Sequence, residues 1–183
     1  TIEALLLGDG TIYKRDGQNA VFQIGSSRKE FLNHLQNYFG VLAGKLSLSE
    51  SASDIASRND SESVENCRDH YKLRLTANEQ ITDLYHKWYP NGEKKIPDSI
   101  TVDDESFKYW YACDGSLKDS HTGSPTVGIS NVSMDSGRVS ELISTVGGLR
   151  DNSGNWFTLY TEDGQDYIDR TEPVPGFEYK WDY

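Results

Sequence analysis

The sequence predicts an α+β protein built from two pseudo-symmetric half-domains, each with the element order αββαββα. Some segments carry apolar residues at helical spacing, and others alternate apolar and polar residues as half-buried strands do. The same succession of segments occurs twice within 183 residues. We therefore assign the first half-domain to residues 1–100 and the second to residues 101–183.

The first half opens with an apolar helix over residues 1–8, which the dipeptide Asp9-Gly10 ends. Strands at 11–15 and 20–24 follow, joined by a hairpin turn at Asp16-Gly17. Residues 28–39 have apolar side chains at helical spacing and a glycine just beyond them, which predicts a second helix. The half is completed by a short strand at 46–48, a polar mobile loop at 49–66, a strand at 71–76, a helix at 78–88 and a basic extended segment at 93–97.

The second half repeats this order. A helix is predicted at residues 105–113, strands at 116–119 and 126–132, and another helix at 136–146. Strands at 156–161 and 167–171 are predicted to form a hairpin that turns at Asp163-Gly164. Identity between the halves is low, so the repeat is one of architecture with one short shared signature.

Composition restricts the classes of function. A hydrophobic content of 36% supports a real core. Without an eighteen-residue apolar run or a basic leader, neither a membrane span nor a signal peptide is expected, and we assign an intracellular location in the cytoplasm or an organelle matrix. The two cysteines lack CxxC spacing and the four histidines form no HxxxH pair, so we expect no zinc site and interpret the histidines as surface or structural. No P-loop or GxGxxG motif is present, so no nucleotide cofactor is expected.

The formal charge of −11 opposes nucleic-acid binding. Proteins that bind DNA phosphates usually carry a basic face, from which counterions are released. A halophilic source would reconcile the two, because roughly 1 M salt screens charges within about 3 Å and an acidic surface keeps a protein soluble. In that case we expect the positive charges to be gathered on one face.

A short signature is shared by the two halves: an apolar helical run that ends in a small residue and is followed by Asp-Gly. It occurs at residues 4–10 and 109–115. A helix C-terminus carries partial negative charge and carbonyls without partners. Two such ends brought together would gather two carboxylates and several carbonyl oxygens, which suit a hard cation such as Mg²⁺. Ala4 and Gly8, one turn apart, would let a partner helix approach closely.

The Asp-Gly dipeptide occurs four times, and it is also an ordinary turn signal. Asp16-Gly17 and Asp163-Gly164 are interpreted as turns. Asp9 and Asp114 differ because an apolar helical run precedes each of them. From this pattern alone a helix stop is as good an explanation as a functional site, since glycine is also favoured at helix ends.

Longer stretches of the chain resemble the LAGLIDADG homing endonucleases of the single-chain, two-motif type. Residues 4–10 are similar to the family motif in its LLLGDG form, and residues 21–35 resemble the strand and helix that follow it. Residues 84–117 are similar to the lysine-rich run before the second motif, with KKIP and then WYACDGS. TVGISN, SELIST, NWFTLYTEDG and the closing FEYK continue the order of the family. The resemblance spans nearly the whole chain.

The resemblance implies a role for individual residues. Asp9 and Asp114 correspond to the acidic metal ligands, and Gly8 and Cys113 to positions that lend a backbone carbonyl. Lys94 and Lys180 match basic residues that flank the metals and polarise the attacked phosphate or its water. The remaining implied positions are Gln23, which organises water in the first half, and Ser130 or Asn131, its vaguer counterpart in the second.

The resemblance also implies a reaction. Divalent ions, Mg²⁺ or in its place Mn²⁺, would assist hydrolysis of both strands of double-stranded DNA at a long asymmetric site, as in intron or intein homing. The two half-domains would pack through the motif helices, and their antiparallel sheets would form a DNA-binding saddle. We expect a monomer whose polar strand faces contact the bases. The predicted contact residues are Arg15, Gln23, Lys72, Arg74, Ser130 and Thr158.

Two other functions remain open. One is a descendant of this fold that no longer cuts and binds DNA or RNA, as an intron maturase or a regulator. The other is an unrelated α+β interaction domain in which the Asp-Gly pairs only end helices. Cys113, in place of the acid or small residue usual before the second Asp, removes an extra carboxylate.

Overall fold

The protein is described by a computed structural model. The structure describes residues 1–58, 64–119, 125–130, 142, 149–151, 156–159 and 161–182. It divides into two compact units. The motif unit comprises Thr1–Asp9 and Leu84–Tyr183, and the inserted unit comprises Gly10–Asp83. The helix of the first motif, α1 (Ile2–Leu7), therefore belongs to the same unit as the second motif.

The inserted unit is an antiparallel sheet with helices. Its strands lie in the order β1-β2-β4-β3, so the last strand pairs between the second and third. Helix α4 begins in this unit and ends in the motif unit. The elements are β1 (Thr11–Tyr13), β2 (Val21–Ser26), α2 (Lys29–Phe39), β3 (Ser47–Glu50), α3 (Ala52–Arg58), β4 (His70–Arg74) and α4 (Glu79–Trp88).

Alternation along these strands buries one face of the sheet. Phe22, Ile24 and Leu73 are almost completely buried, and α2 contacts β2 and β4 with its own apolar side chains. The residues between them, such as Gln23 and Lys72, lie on the opposite face and remain partly exposed. The sequence predicted this alternation, and the strands differ from the predicted ones by one or two residues at their ends.

The prediction of a mobile loop at residues 49–66 was wrong at several positions. Ala52–Arg58 form α3, and Val64–Asn66 form a turn of 3₁₀ helix. The Ser51 hydroxyl accepts a hydrogen bond from the Asp54 amide (3.2 Å), and the Asp54 carboxylate accepts one from the Ser51 amide (3.4 Å). This reciprocal arrangement is a capping box, so the sequence Ser-x-x-Asp contained the missing helix signal.

The motif unit contains a second antiparallel sheet and the two motif helices. Its strands lie in the order β5-β6-β8-β7. A 3₁₀ turn at Glu178–Lys180 lies in the tail. The elements that follow α4 are α5 (Asp104–Asp114), β5 (Gly115–Asp119), β6 (Pro125–Ser130), β7 (Leu149–Asp151), β8 (Trp156–Leu159) and α6 (Thr161–Arg170).

The predicted hairpin turning at Asp163-Gly164 was wrong, because this dipeptide lies inside α6. Gly164, Tyr167 and Ile168 are buried at helical spacing, and acidic residues in the first turn suit the positive end of a helix. β8 instead lies between β6 and β7 and pairs with both, and no sequence signal had indicated β7. Of the predicted helix at 136–146, only Leu142 is described; it is helical and buried, and the rest lies outside the described residues.

The predicted α+β class with antiparallel sheets is confirmed, and α1 packs against α5 as expected of the two motif helices. The assignment of half-domains to residues 1–100 and 101–183 describes the repeat of elements and stays a prediction. In the described part of the chain, no helix has the length and apolar character needed to cross a membrane.

Candidate active site and nucleic-acid interface

The ends of the two motif helices meet at Gly8 and Cys113. A methyl group in place of the Gly8 hydrogen would lie 2.5 Å from Cβ of Cys113 and 3.5 Å from Oδ2 of Asp114. Ordinary carbon contacts are about 3.5–4.0 Å, so only glycine permits this approach. The predicted close packing at Gly8 is confirmed, and it brings the residue after α1 beside the last residue of α5.

Asp9 follows α1 and Asp114 ends α5, so both carboxylates stand at negative helix ends. The pKa of Asp114 is raised to about 6, mainly by burial and to a smaller extent by the negative charge of Asp9. Lys94 and Lys180 act in the opposite direction without cancelling the shift. The two acids predicted as a pair are therefore close enough in the motif unit to repel each other.

Lys94 approaches the end of the first motif helix. Its Nζ donates a hydrogen bond of 3.2 Å to the carbonyl oxygen of Gly8. Burial lowers the pKa of Lys94, whereas the nearby charges of Asp114 and Asp9 raise it. The ammonium thus lies beside both carboxylates and partly offsets the charge that accumulates there.

Lys180 occupies the corresponding place at the second motif helix. Its buried Nζ donates to the carbonyl oxygens of Ala112 (2.7 Å) and Tyr111 (3.3 Å) in the last turn of α5. The Tyr111 carbonyl also accepts from the Gly115 amide, which caps the helix. The Tyr111 hydroxyl donates in return to the Lys180 carbonyl oxygen at 2.7 Å. The tail of the chain is therefore fixed to α5 at the same point as the second acid.

The donor atoms collected here are mainly oxygens. Asp9 and Asp114 supply carboxylates, and the carbonyl oxygen of Gly8 lies at the same helix junction. The carbonyl-ligand roles of Gly8 and Cys113 stay predictions. Burial raises the pKa of the Cys113 thiol, and the charge of Asp9 raises it further, so the sulfur stays protonated. Among the described residues, no three His, Cys, Asp or Glu side chains converge on one point. A cation here would need backbone or solvent oxygens besides the two acids, which suits Mg²⁺ better than zinc.

The inserted unit carries the predicted polar sheet face. Gln23 pairs with Arg74 and with Thr11, so these three side chains cross the sheet in one row. Lys72 pairs with Gly25 and Ser47 in the next row. Arg15 lies two residues beyond the end of β1 and is exposed. Gln23 belongs to this unit, whereas the two acids and the two lysines belong to the motif unit.

The motif unit's sheet agrees less well with the predicted contact residues. Thr158 pairs with Gly128 and is only 1% exposed, so its hydroxyl is not presented to a DNA groove and the structure does not support it as a base contact. The backbone of Ser130 ends β6 opposite Trp156. Its side chain, and all of Asn131, lie outside the described part of the molecule.

Sequence reasoning missed a contact between two helices and one residue of the polar sheet face. Trp88 and Lys87 both donate to Glu3 Oε1, at 3.1 and 2.7 Å, which ties the end of α4 to α1. His70 begins β4 one residue earlier than predicted and lies on the same face as Lys72. The period-two alternation could have placed His70 there, whereas nothing local in the sequence indicates the Glu3 contacts.

Comparison with known proteins gives a consistent result. The uncharacterized protein MJ1098 of Methanocaldococcus jannaschii is 28% identical over 131 residues, which cover 67% of this chain and 44% of that protein. The chain thus spans less than half the length of this relative. The structure of homing endonuclease I-WcaI bound to its DNA recognition sequence is similar, with a TM-score of 0.74, 16% identity, and coverage of 98% of this chain and 83% of that one.

A second structure, the LAGLIDADG homing endonuclease I-SmaMI bound to cleaved DNA, has a TM-score of 0.54 and 12% identity, and the match covers 98% of this chain and 85% of that one. At these identities the likeness concerns the fold. A sequence profile described as the LAGLIDADG DNA endonuclease family matches residues 2–151, which include both Asp-Gly motifs. The chain therefore belongs to the LAGLIDADG DNA endonuclease family.

Proposed function

We propose that the chain is a site-specific homing endonuclease that acts as a monomer and hydrolyses both strands of double-stranded DNA at a long asymmetric site. The observation that carries this proposal is the contact between the ends of the two motif helices, which places the largely buried carboxylate of Asp114 near that of Asp9. Two like charges are held together at a cost in stability, which a structural helix stop does not require.

Divalent metal ions fit this junction. Repulsion between Asp9 and Asp114 is relieved by a divalent cation, and the all-oxygen donors suit Mg²⁺, for which Mn²⁺ substitutes. When bound, such ions supply a water-derived nucleophile and stabilise the charge on the phosphate and its leaving oxygen. Gly8 contributes its carbonyl from one motif and Cys113 from the other, and the Cys113 thiol takes no part.

The two lysines complete the proposed site in two ways. The ammonium groups of Lys94 and Lys180 place positive charge beside the carboxylates, where they orient a phosphate and stabilise charge as it develops. Their hydrogen bonds to the helix-end carbonyls hold them in position before substrate binds. Gln23 is proposed to organise water, and the face that carries Lys72, Arg74 and Arg15 is proposed to contact the target.

A cleavage assay tests this function. The protein is incubated with Mg²⁺ and a plasmid library that carries randomised duplex inserts, at 0.1 M and at roughly 1 M salt, because its acidic composition suggests activity at high salt. We expect a subset of plasmids to become linear, and sequencing of their ends to give one asymmetric site. Asp9→Asn and Asp114→Asn should each abolish the linear product.

Asp16→Asn is the matched control, because Asp16 is also followed by glycine but forms an exposed turn in the inserted unit. This variant should cut as the wild type does. Selective binding of one duplex sequence without cleavage by the wild type at either salt concentration would contradict the nuclease. That result would instead favour a silent DNA- or RNA-binding descendant such as a maturase or regulator.

A further inference from the structure

An imidazole lies on the exposed face of the inserted unit's sheet. His70 is the first residue of β4, and His70, Lys72 and Arg74 are every second residue of that strand. Their side chains therefore point to the same side of the sheet. Leu73, which lies between Lys72 and Arg74, is completely buried on the other side. His70 is therefore a member of the face proposed to contact DNA, although it had been interpreted as a surface or structural residue.

The strand next to β4 leaves room for the His70 ring. Gly25 of β2 pairs with Lys72, which lies two residues after His70 in β4. A methyl group at Gly25 would lie 2.7 Å from Cε1 and 3.4 Å from Nδ1 of His70, which is closer than carbon atoms approach without strain. The ring consequently lies over Gly25, and a glycine inside a strand often marks such a close approach.

Ser49 fixes the orientation of the ring from the other neighbouring strand. Its hydroxyl donates to the His70 carbonyl oxygen at 2.8 Å and lies 3.2 Å from Nδ1. A hydroxyl has one hydrogen, so with that hydrogen on the carbonyl the Ser49 oxygen accepts from Nδ1. The proton of the neutral ring is then on Nδ1, and Nε2 carries a lone pair.

The other basic side chains of this face differ from His70 in hydrogen-bonding chemistry. Lys72 and Arg74 are donors only, and their preferred partners in the major groove are the N7 and O6 acceptors of guanine. The Nε2 lone pair of His70 is an acceptor, and it matches the exocyclic amino groups of adenine and cytosine. Guanine and thymine present oxygen acceptors at the corresponding position and would be rejected.

We propose that His70 reads one base pair of the DNA target, accepting through Nε2 a hydrogen bond from the amino group of adenine or cytosine in the major groove. This inference rests on the proposed function, because it requires that the inserted unit's sheet face enters the groove. Gly25 and Ser49 act as positioning residues that hold the ring in one orientation before DNA binds, which reduces the entropy lost on binding.

Selection from a random duplex library tests the proposal. The full chain is bound to randomised 24-base-pair duplexes without divalent metal, and the retained duplexes are sequenced for the wild type and for His70→Ala. We expect the wild type to enrich adenine or cytosine at one position and the variant to lose that preference while keeping the others. Affinity for the wild-type sequence should fall roughly 5- to 150-fold, the effect of one base contact. Ser49→Ala removes the hydroxyl that orients the ring. It should weaken the base preference at the same position, with a smaller loss of affinity.

His34→Ala is the matched control, because it removes an imidazole from α2, the helix on the opposite face of the same sheet. It should leave the enriched sequence unchanged. Thermal unfolding of each variant verifies folding, and if His70→Ala is unfolded, Ser49→Ala and His70→Phe, which lacks an acceptor, provide the same comparison.

Three results would overturn the inference, and each has its own meaning. Identical base preferences in wild type and His70→Ala would show that the ring reads no base. A uniform loss of affinity with a shallower salt dependence would show a phosphate contact instead. A wild type that enriches no sequence would remove the proposed DNA-recognition function itself, and the inference with it.

Discussion

The two compact units differ in net charge as well as in the predicted site residues that they contain. The inserted unit has nine Lys and Arg against ten Asp and Glu, a formal charge of −1. The motif unit has the same nine basic residues against nineteen acidic ones, a formal charge of −10. The net charge of the whole chain is therefore almost entirely a property of one unit.

This difference removes much of the conflict between the negative net charge of the chain and the binding of DNA. A DNA-binding face requires local positive potential, and the net charge of a chain bears on solubility and steering more than on any one face. The inserted unit presents Arg15, Lys72 and Arg74 on a nearly neutral background. The unit that carries the carboxylate pair is the one proposed to bind divalent cations. The predictions below test this division, from the largest expected effect to the smallest.

Reversal of charge on the sheet face of the inserted unit should have the largest effect. If Lys72 and Arg74 make the proposed groove contacts, of about 1–3 kcal/mol each, Lys72→Glu with Arg74→Glu should lower affinity for the selected duplex at least about thirty-fold. Lys108→Glu, the same change per residue on α5 in the motif unit, should change affinity much less. Fluorescence anisotropy at several salt concentrations measures both, and equal losses would contradict the assignment of DNA contact to the inserted unit.

Asp114→Asn should stabilise the metal-free protein at neutral pH. Because the pKa of Asp114 is raised to about 6 from 3.8, the folded state binds a proton more tightly than the unfolded chain between about pH 4 and 6. The stability of the wild type therefore falls as pH rises through this window. The variant should gain on the order of 1–3 kcal/mol at pH 7, with the gain vanishing towards pH 4.

Urea unfolding in the presence of a chelator at pH 4, 5, 6 and 7 measures this difference. Asp16→Asn, in the exposed turn of the inserted unit, is the control for the chemical change itself. A constant gain for Asp114→Asn at every pH would mean that neither burial nor the charge of Asp9 raises the pKa of this carboxyl group.

Gly8→Ala should destabilise the motif unit by about 1–3 kcal/mol, the usual cost of overpacking, because the new methyl group meets Cβ of Cys113. Cys113→Gly removes that atom. The double variant should therefore be more stable than the sum of the two single changes predicts. Additive losses in chemical denaturation would show that the two helix ends do not touch.

Asp103→Ala should have the smallest effect. The Asp103 side chain accepts a hydrogen bond of 2.8 Å from the Ser106 amide and caps the N-terminus of α5, the helix that ends at Asp114. Loss of an N-cap costs about 1 kcal/mol. Asp103→Ser retains a capping oxygen and should restore most of it, and thermal unfolding compares the two variants.

The motif helices could be predicted because their signals are local. An apolar run and a following Asp-Gly are enough to end α1 and α5 at the right place, and the small residue Gly8 indicates close packing. The alternation in β2 and β4 likewise fixes which face is buried, because it depends only on neighbouring residues.

The wrong predictions arose where the same sequence pattern is compatible with two structures. Asp163-Gly164 has the composition of a turn, yet it lies in α6, because burial of Tyr167 and Ile168 at helical spacing outweighs the turn preference. The burial of Thr158 depends on tertiary packing that strand alternation does not reveal. The positions of Lys94 and Lys180 could be predicted only from family resemblance. Their contacts span 86 residues (Lys94 to Gly8) and 68 residues (Lys180 to Ala112), and contacts so distant in sequence leave no local pattern.

The anchoring of Lys180 to α5 also has a consequence for the order of folding. The inserted unit is continuous in sequence and can fold from residues 10–83 as soon as they are available. The carboxylate junction requires α1, Lys94, α5 and Lys180, which are distributed over almost the entire chain. Contacts of such long sequence separation form slowly, after the entropy of closing large loops has been overcome. During synthesis, we therefore expect the sheet of the inserted unit to form first and the carboxylate junction of the motif unit to form last.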